Sequence, residues 1–99
     1  MAEFGLGKFF LTSRAIDALT EAGQPLEDLL KRHESGDWGE IPEEDKRKND
    51  EALAHDNPVL STYTLKTGVS IVVETNWNRK LTTICLPEEY RHVPTKNPG

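Results

Sequence analysis

The last third of the chain alternates short segments rich in β-branched residues with tight polar turns, and this pattern constrains the fold most. Two such segments, 59–64 and 69–74, are separated by a turn that contains Gly68, and a third, 81–86, follows the polar loop 76–79. Short strands joined by such turns predict an antiparallel meander. A sheet of this size needs a second layer over its apolar face, so the first half of the chain has to supply helices.

Residue alternation predicts which face of this sheet is covered. In the second predicted strand, Val69, Ile71 and Val73 form the more apolar set. Successive side chains of a strand point to opposite faces. We therefore expect these three side chains to face the helices, and exposure of Ile71 and Val73 would contradict this register.

The first half of the chain carries the signals of helices. Thr12 or Ser13 can cap a helix that places Ala15, Ile16 and Leu19 on one side. Glycine and proline then divide the region into separate segments. We predict a short strand and three helices, at 8–11, 14–22, 25–36 and 42–56. The expected fold class is α+β, with two or three short helices packed on one face of a three- to four-stranded antiparallel meander.

The length of the chain allows one hydrophobic core. A domain of 99 residues buries enough surface for a stable fold without disulfides or metals. Residues 91–99 lack hydrophobic periodicity and contain two prolines. We therefore predict a single domain over residues 5–90 and a flexible tail over 91–99.

Charge and composition restrict the functional classes. The net charge of −5 argues against direct binding to nucleic acid, whose phosphates attract clustered Lys and Arg, and it fits a cationic protein partner or simple solubility. The N-terminus has no targeting pattern and no segment approaches membrane-spanning length, so we expect a cytoplasmic protein without membrane association. The oligomeric state stays open.

No residue pattern predicts a cofactor, a metal ion or a catalytic set. Cys85 is the only cysteine, so it forms no intramolecular disulfide and is expected to pack as a small apolar residue. The histidine–aspartate spacings offer fewer converging ligands than a metal needs. A Ser–His or Cys–His pair can be assembled in space, but no glycine-framed serine supports one.

Trp77 and Arg79, in the loop between the second and third meander strands, are the first candidate binding residues. A turn does not require a large aromatic side chain. An indole beside a guanidinium suits a carboxylate or a nucleobase. The alternative is that Trp77 caps the open end of the sheet.

Asp37 and Trp38 are the second candidate pair. They lie between Gly36 and Gly39, where the backbone can turn sharply, and an exposed Trp there would make a strong interaction point. The alternative is that Trp38 folds back over the helix pair while Asp37 caps the turn.

Glu43 and Glu44 belong to an acidic cluster at the third predicted helix, together with Glu40, Asp45, Asp50 and Glu51. Such a cluster is usually a solvated helix face. The sharper alternative is a surface that imitates nucleic-acid phosphates, although the following bases at 46–48 dilute its field.

Several segments together resemble a group of small uncharacterised proteins carried by bacterial plasmids, phages and integrated elements. The most specific matching element is Gly36-Asp37-Trp38-Gly39; others are 15–19, 22–24, 44–47, 51–53, 82–84 and Leu86-Pro87-Glu88-Glu89-Tyr90. The resemblance implies an origin in a mobile genetic element and little about chemistry. The chain departs from the group at 76–78, which makes Trp77 a candidate specialisation.

The order of helices followed by a meander is also similar to the barnase/RelE type of small ribonuclease. That resemblance implies a general base and basic groups over the sheet, for which only His55, Lys66, Arg79 and Thr82 are candidates.

Two hypotheses for the function follow from these observations. The first is a non-enzymatic protein-binding accessory factor of a mobile genetic element, such as an inhibitor or modulator of a host nucleic-acid-handling or defence protein. The alternative is a small ribonuclease or toxin.

Overall fold

The computed structural model of the protein describes residues 5–92. Its elements, in chain order, are β1 (Lys8–Leu11), α1 (Ser13–Ala22), α2 (Leu26–Glu34), α3 (Glu43–His55), β2 (Val59–Thr64), β3 (Ser70–Thr75), β4 (Leu81–Cys85) and a 3₁₀ helix (Pro87–His92). Helices from the first half and a sheet from the second confirm the α+β class. Of the predicted tail, residues 91 and 92 end the 3₁₀ helix, and 93–99 lie outside the described residues.

The four strands form one mixed sheet in the order β1-β4-β3-β2. Strands β2, β3 and β4 are the predicted antiparallel meander. The expectation of a purely antiparallel sheet was wrong at β1, which runs parallel to β4. After β1 the chain passes through all three helices and joins the sheet at its far edge. The meander therefore returns β4 alongside β1 in the same direction.

Local signals at α1 explain where this helix begins and ends. The Thr12 hydroxyl accepts a hydrogen bond from the Ala15 N–H at 3.1 Å, which satisfies one of the unpaired donors at the N-terminus. Gly23 ends the helix in the left-handed conformation, with φ of 65°. Ala15 and Leu19 are buried as predicted, whereas Ile16 is exposed because the buried stripe continues through Ala18 instead.

The predicted register of the sheet is confirmed at its centre. Ile71 and Val73 are fully buried in the main core, together with Tyr63 of β2 and Ile84 of β4. Val69 does not follow the prediction and is 38% exposed. It precedes the first residue of β3, so strand alternation does not determine its direction.

The second face of the sheet is covered by the 3₁₀ helix. Glu89 holds this segment, because its Oε1 accepts hydrogen bonds from the Thr12 hydroxyl at 2.7 Å and from the Leu86 N–H at 3.0 Å. The Tyr90 hydroxyl donates to the buried Glu74 Oε2 at 2.6 Å. Cys85 is buried under this cover, and burial raises the pKa of its thiol to about 11. The sheet is thus packed on its helix face and, at β3 and β4, on its second face.

Candidate binding surface

A chain of hydrogen bonds runs through the core beneath the helices, and sequence reasoning did not find it. His33 Nδ1 lies 2.6 Å from Ser61 Oγ, and His33 Nε2 lies 2.9 Å from Thr75 Oγ1. Thr75 Oγ1 is 2.8 Å from Thr82 Oγ1, which donates to the Leu6 carbonyl at 2.6 Å. In the sequence, His33 follows Leu26, Leu29 and Leu30 with helical spacing, a pattern that carries no information on its polar partners.

The last hydrogen bond of this series, from Thr82 to the Leu6 carbonyl, determines which group donates in each of the others. Because the Thr82 hydroxyl donates to a carbonyl, it accepts from Thr75, and the Thr75 hydroxyl must accept from His33. His33 therefore carries its proton on Nε2, and Nδ1 accepts from the Ser61 hydroxyl. This arrangement satisfies each of these buried polar side chains with a neutral imidazole.

The pair of Ser61 and His33 has the distance of a nucleophile and its base, but its surroundings suit a structural role. Both side chains are fully buried, so a substrate cannot reach Ser61 Oγ in this conformation. Burial, with a smaller contribution from the positive charge of Arg79, lowers the pKa of His33 to about 3. The imidazole thus connects α2 to β2 and β3 as a neutral group.

Trp38 lies inside the molecule. Its side chain is 3% exposed, and it packs with Ala52 of α3 and Val59 of β2. The indole Nε1 donates to Asp50 Oδ1 at 3.1 Å, and the ring meets the edge of His33 with 5.6 Å between centroids. The structure therefore places this candidate where a partner does not reach the indole.

Asp37 is exposed and is bonded to Arg32 of α2, the helix that precedes it. Its carboxylate accepts from Arg32 Nε at 2.7 Å and from the Gly39 N–H at 3.2 Å. The Arg32 guanidinium, as the largest cause, lowers the pKa of Asp37. The Asp37 carbonyl accepts from the Tyr63 hydroxyl at 2.6 Å. These contacts attach the turn after α2 to the sheet.

The turn that contains Trp38 closes one edge of the sheet. The Thr62 N–H donates to the Trp38 carbonyl at 3.2 Å, and the Glu40 N–H donates to the Thr62 carbonyl at 2.7 Å. The Glu40 side chain then accepts from the Thr64 N–H at 2.9 Å. Gly39 allows this approach, because its φ is 77° and a Cβ would overlap the Thr62 carbonyl oxygen.

Asn49 closes the remaining part of the same edge. Its Nδ2 donates to the Leu60 carbonyl at 2.7 Å, and its Oδ1 accepts from the Leu60 N–H at 3.1 Å. Asn49 is therefore buried, together with Ala52, on a helix whose other residues are mostly polar and exposed. The outward backbone groups of Leu60 and Thr62 and the N–H of Thr64 are thus paired within the chain, which protects this edge from other strands.

Arg79 and Trp77 lie in the same loop but differ in their contacts with the rest of the protein. Arg79 has φ of 61°, and its guanidinium donates to the Asn76 carbonyl at 3.0 Å and to the Ala52 carbonyl at 3.1 Å. A cation at the C-terminal carbonyls of α3 is favourable. Trp77, in the same loop, is half-buried. The structure therefore brings the pair to one loop and gives Arg79 a contact that holds α3 to the sheet.

Glu43 and Glu44 lie in the exposed first turn of α3. Lys46 Nζ is 3.5 Å from Glu43 Oε2, so a basic side chain partly neutralises the acidic ones on this face. The acidic residues and the Trp77–Arg79 loop belong to different elements. Of the six residues that the sequence suggested, Trp38 is buried, and the others lie in the α2–α3 turn, on α3 and in the β3–β4 loop.

Within residues 5–92, no strand or segment pairs with the opposite edge of the sheet, at β1. The Lys8 N–H donates to the Lys80 carbonyl, and the Thr12 N–H donates to the Ile84 carbonyl. Alternate residues of a strand direct their backbone groups to opposite sides, so those of Phe9 and Leu11 point away from β4. No residue of the range 5–92 forms a hydrogen bond with these outward groups.

The side chains of β1 make this open edge apolar. Phe9 is 49% exposed and Phe10 is 43% exposed, one on each face of the sheet. On the helix face, a cavity of about 400 Å³ adjoins Leu11, and another of about 510 Å³ adjoins Phe9. An unpaired strand edge beside two open surface cavities, of which the one at Leu11 has no charged lining residue, is a geometry suited to an added strand.

Of the four groups named for a ribonuclease, His55 and Arg79 both lie at the C-terminal end of α3, and the other two are placed differently. Thr82 is buried and bound to the Leu6 carbonyl, and Arg79 is bound to α3. Lys66 lies in the β2–β3 turn, at the other end of β3 from the loop that holds Arg79. Across residues 5–92, no three or more His, Cys, Asp or Glu side chains are arranged to hold a metal ion.

Comparisons with known proteins found no significant match to this chain among protein-family models, curated proteins or solved structures. Of the helices that the structure describes, none combines the length and apolar character needed to cross a membrane.

Proposed function

We propose that this protein is a non-enzymatic binding factor that recognises another protein through the β1 edge. The observation that carries the proposal is the contrast between the two edges of the sheet. The chain closes the β2 edge with Asn49 and the segment 38–40, whereas β1 presents outward backbone groups and two exposed phenylalanines. Native proteins generally cover or charge an apolar strand edge, so an open one suits a binding surface.

The wider role follows from the resemblance to proteins of plasmids, phages and integrated elements. We propose a cytoplasmic accessory factor of a mobile genetic element that inhibits or modulates a host nucleic-acid-handling or defence protein, an anti-defence role. The net charge of −5 supports a cationic protein partner, since nucleic-acid-handling proteins carry basic surfaces. In this proposal the acidic turn at Glu43 and the half-buried Trp77 are secondary contacts.

Quantitative affinity capture from a bacterial lysate tests this function. We expect proteins enriched by the natural chain to fall at least about tenfold in the double variant Phe9→Lys/Phe10→Lys, because charges block apolar contacts at the edge. Val69→Lys is the matched control, since Val69 is an exposed apolar residue in the β2–β3 turn. It should retain the enriched proteins.

Both variants should melt within a few degrees of the natural chain, because Phe9, Phe10 and Val69 are 38–49% exposed and the stem of a Lys can keep part of their apolar contact. Equal enrichment by the edge variant and the control would contradict a role for β1. Enrichment of nothing over an unrelated bait would contradict the binding function itself.

A further inference from the structure

The two cavities beside β1 differ in chemistry, and this difference defines what the edge can accept. The cavity at Leu11 is lined on its helix side by Ile16, Leu19 and Leu26, and no charged residue of the described chain lines it. An aliphatic side chain suits this first cavity.

The cavity at Phe9 combines apolar and acidic groups. Leu6 and Leu30 line it together with Glu27, Lys31 and Glu34. In the range 5–92, neither Glu27 nor Glu34 forms an ion pair with Lys31 or another base. The two carboxylates and one ammonium give this cavity a net negative charge next to the apolar side chains of Leu6 and Leu30. A long basic side chain suits this cavity, because its stem packs on the floor while its charge approaches the carboxylates.

The two cavities are bordered by β1 residues that lie two positions apart, Leu11 for the first and Phe9 for the second. Phe9 and Leu11 share the helix face of β1, since their sheet partners are Thr82 and Ile84. Side chains two residues apart on a strand are separated by roughly 6.5 Å. A strand that bonds to the outward groups of β1 therefore places residues i and i+2 over the two cavities.

We propose that the β1 edge receives an extended peptide segment with a long basic side chain at one position and an aliphatic side chain two residues away. This specificity rests on the proposed binding function and adds the chemistry of the partner segment. Backbone hydrogen bonds to Phe9 and Leu11 supply the common part of the affinity, and the cavities select the sequence. The order of the basic and aliphatic positions reports whether the added strand is parallel or antiparallel to β1.

A second copy of this chain fits the edge less well. Antiparallel pairing of two β1 strands with Phe9 opposite Leu11 brings an aliphatic side chain, rather than a base, to the cavity that Glu27 and Glu34 border. The net charge of −5 on each copy also opposes self-association.

Selection from a random octapeptide display library against the full chain tests the inference. We expect the selected peptides to share Lys or Arg two residues from Leu, Ile or Val. The best peptide, synthesised with a fluorescent label, is then titrated by anisotropy. The double variant Glu27→Gln/Glu34→Gln should bind this peptide at least tenfold more weakly than the natural chain does. Asp17→Asn/Glu21→Gln, at exposed positions of α1 that line neither cavity, changes the net charge equally and should leave the affinity within twofold.

Three other results would overturn the inference. Selected peptides that require Phe9 and Phe10 but lack the basic position would remove the stated specificity and leave edge binding intact. Failure to select any peptide that depends on Phe9 and Phe10 would remove the peptide occupant altogether. A dimer of the free protein that Phe10→Lys dissociates would assign the edge to a second copy.

Discussion

Gly39→Ala is expected to lower the free energy of unfolding by roughly 3–5 kcal/mol, because two costs add at this position. The φ of 77° is unfavourable for a residue with a Cβ, and the added carbon would overlap the Thr62 carbonyl oxygen and lie 2.7 Å from the Tyr63 ring. Relief requires the segment 38–40 to move away from β2, which breaks the hydrogen bonds that close this edge. Urea denaturation followed by circular dichroism measures the change.

Gly68→Ala is the matched control for this prediction. Gly68 also has positive φ, at 92°, but a Cβ there meets no atom within 4 Å. The Gly68→Ala substitution should therefore lower the free energy of unfolding only by the cost of the left-handed backbone conformation, about 1–2 kcal/mol. Equal losses in the two variants would show that the contact between Gly39 and β2 contributes nothing beyond backbone strain.

The stability of the protein should fall by about 2 kcal/mol between pH 7.5 and pH 5 as a result of His33. Folding lowers the pKa of His33 from 6.5 to about 3, so the unfolded chain binds a proton at pH values where the folded chain does not. The stabilisation is complete above pH 6.5, is lost progressively as the pH falls, and stops changing below pH 3. Denaturation midpoints measured across this range test the prediction.

Two histidine variants separate this effect from general acid destabilisation. His33→Gln lacks a titrating group and should lose most of the slope between pH 7.5 and pH 5, although its stability at pH 7.5 is lower. His55→Gln, at an exposed position on α3, should keep the slope. Asp37 and Glu89 have lowered pKa values, so their contributions are lost only at more acidic pH. An unchanged slope in His33→Gln would contradict the buried neutral imidazole.

Local patterns predicted most of the fold. β-branched alternation located β2, β3 and β4, and the direction of Ile71 and Val73 followed from it. Capping residues located α1 to within a residue. The parallel pairing of β1 was beyond such patterns, because strand direction depends on where the chain re-enters the sheet. The second covered face also depended on a distant contact, between Tyr90 and Glu74.

The candidate surface was less predictable than the fold. Trp38 between two glycines suggested recognition, yet those glycines allow its backbone to pair with β2 while its ring is buried. Arg79 suggested a ligand, yet it binds carbonyls of its own chain. The residues 8–11 were recognised as a strand, but whether a strand edge is open depends on what all other elements cover. Periodicity carries no information on that point.

Amide hydrogen exchange at the two sheet edges, followed by nuclear magnetic resonance, tests the central claim most directly. The N–H groups of Leu60 and Thr62 are bonded within the chain and should exchange slowly, as should that of Phe10, which faces β4. The N–H groups of Phe9 and Leu11 should exchange nearly as fast as in an unfolded chain. Slow exchange of Phe9 and Leu11 in the free monomer would show that the β1 edge is already occupied, and would contradict the proposed binding surface.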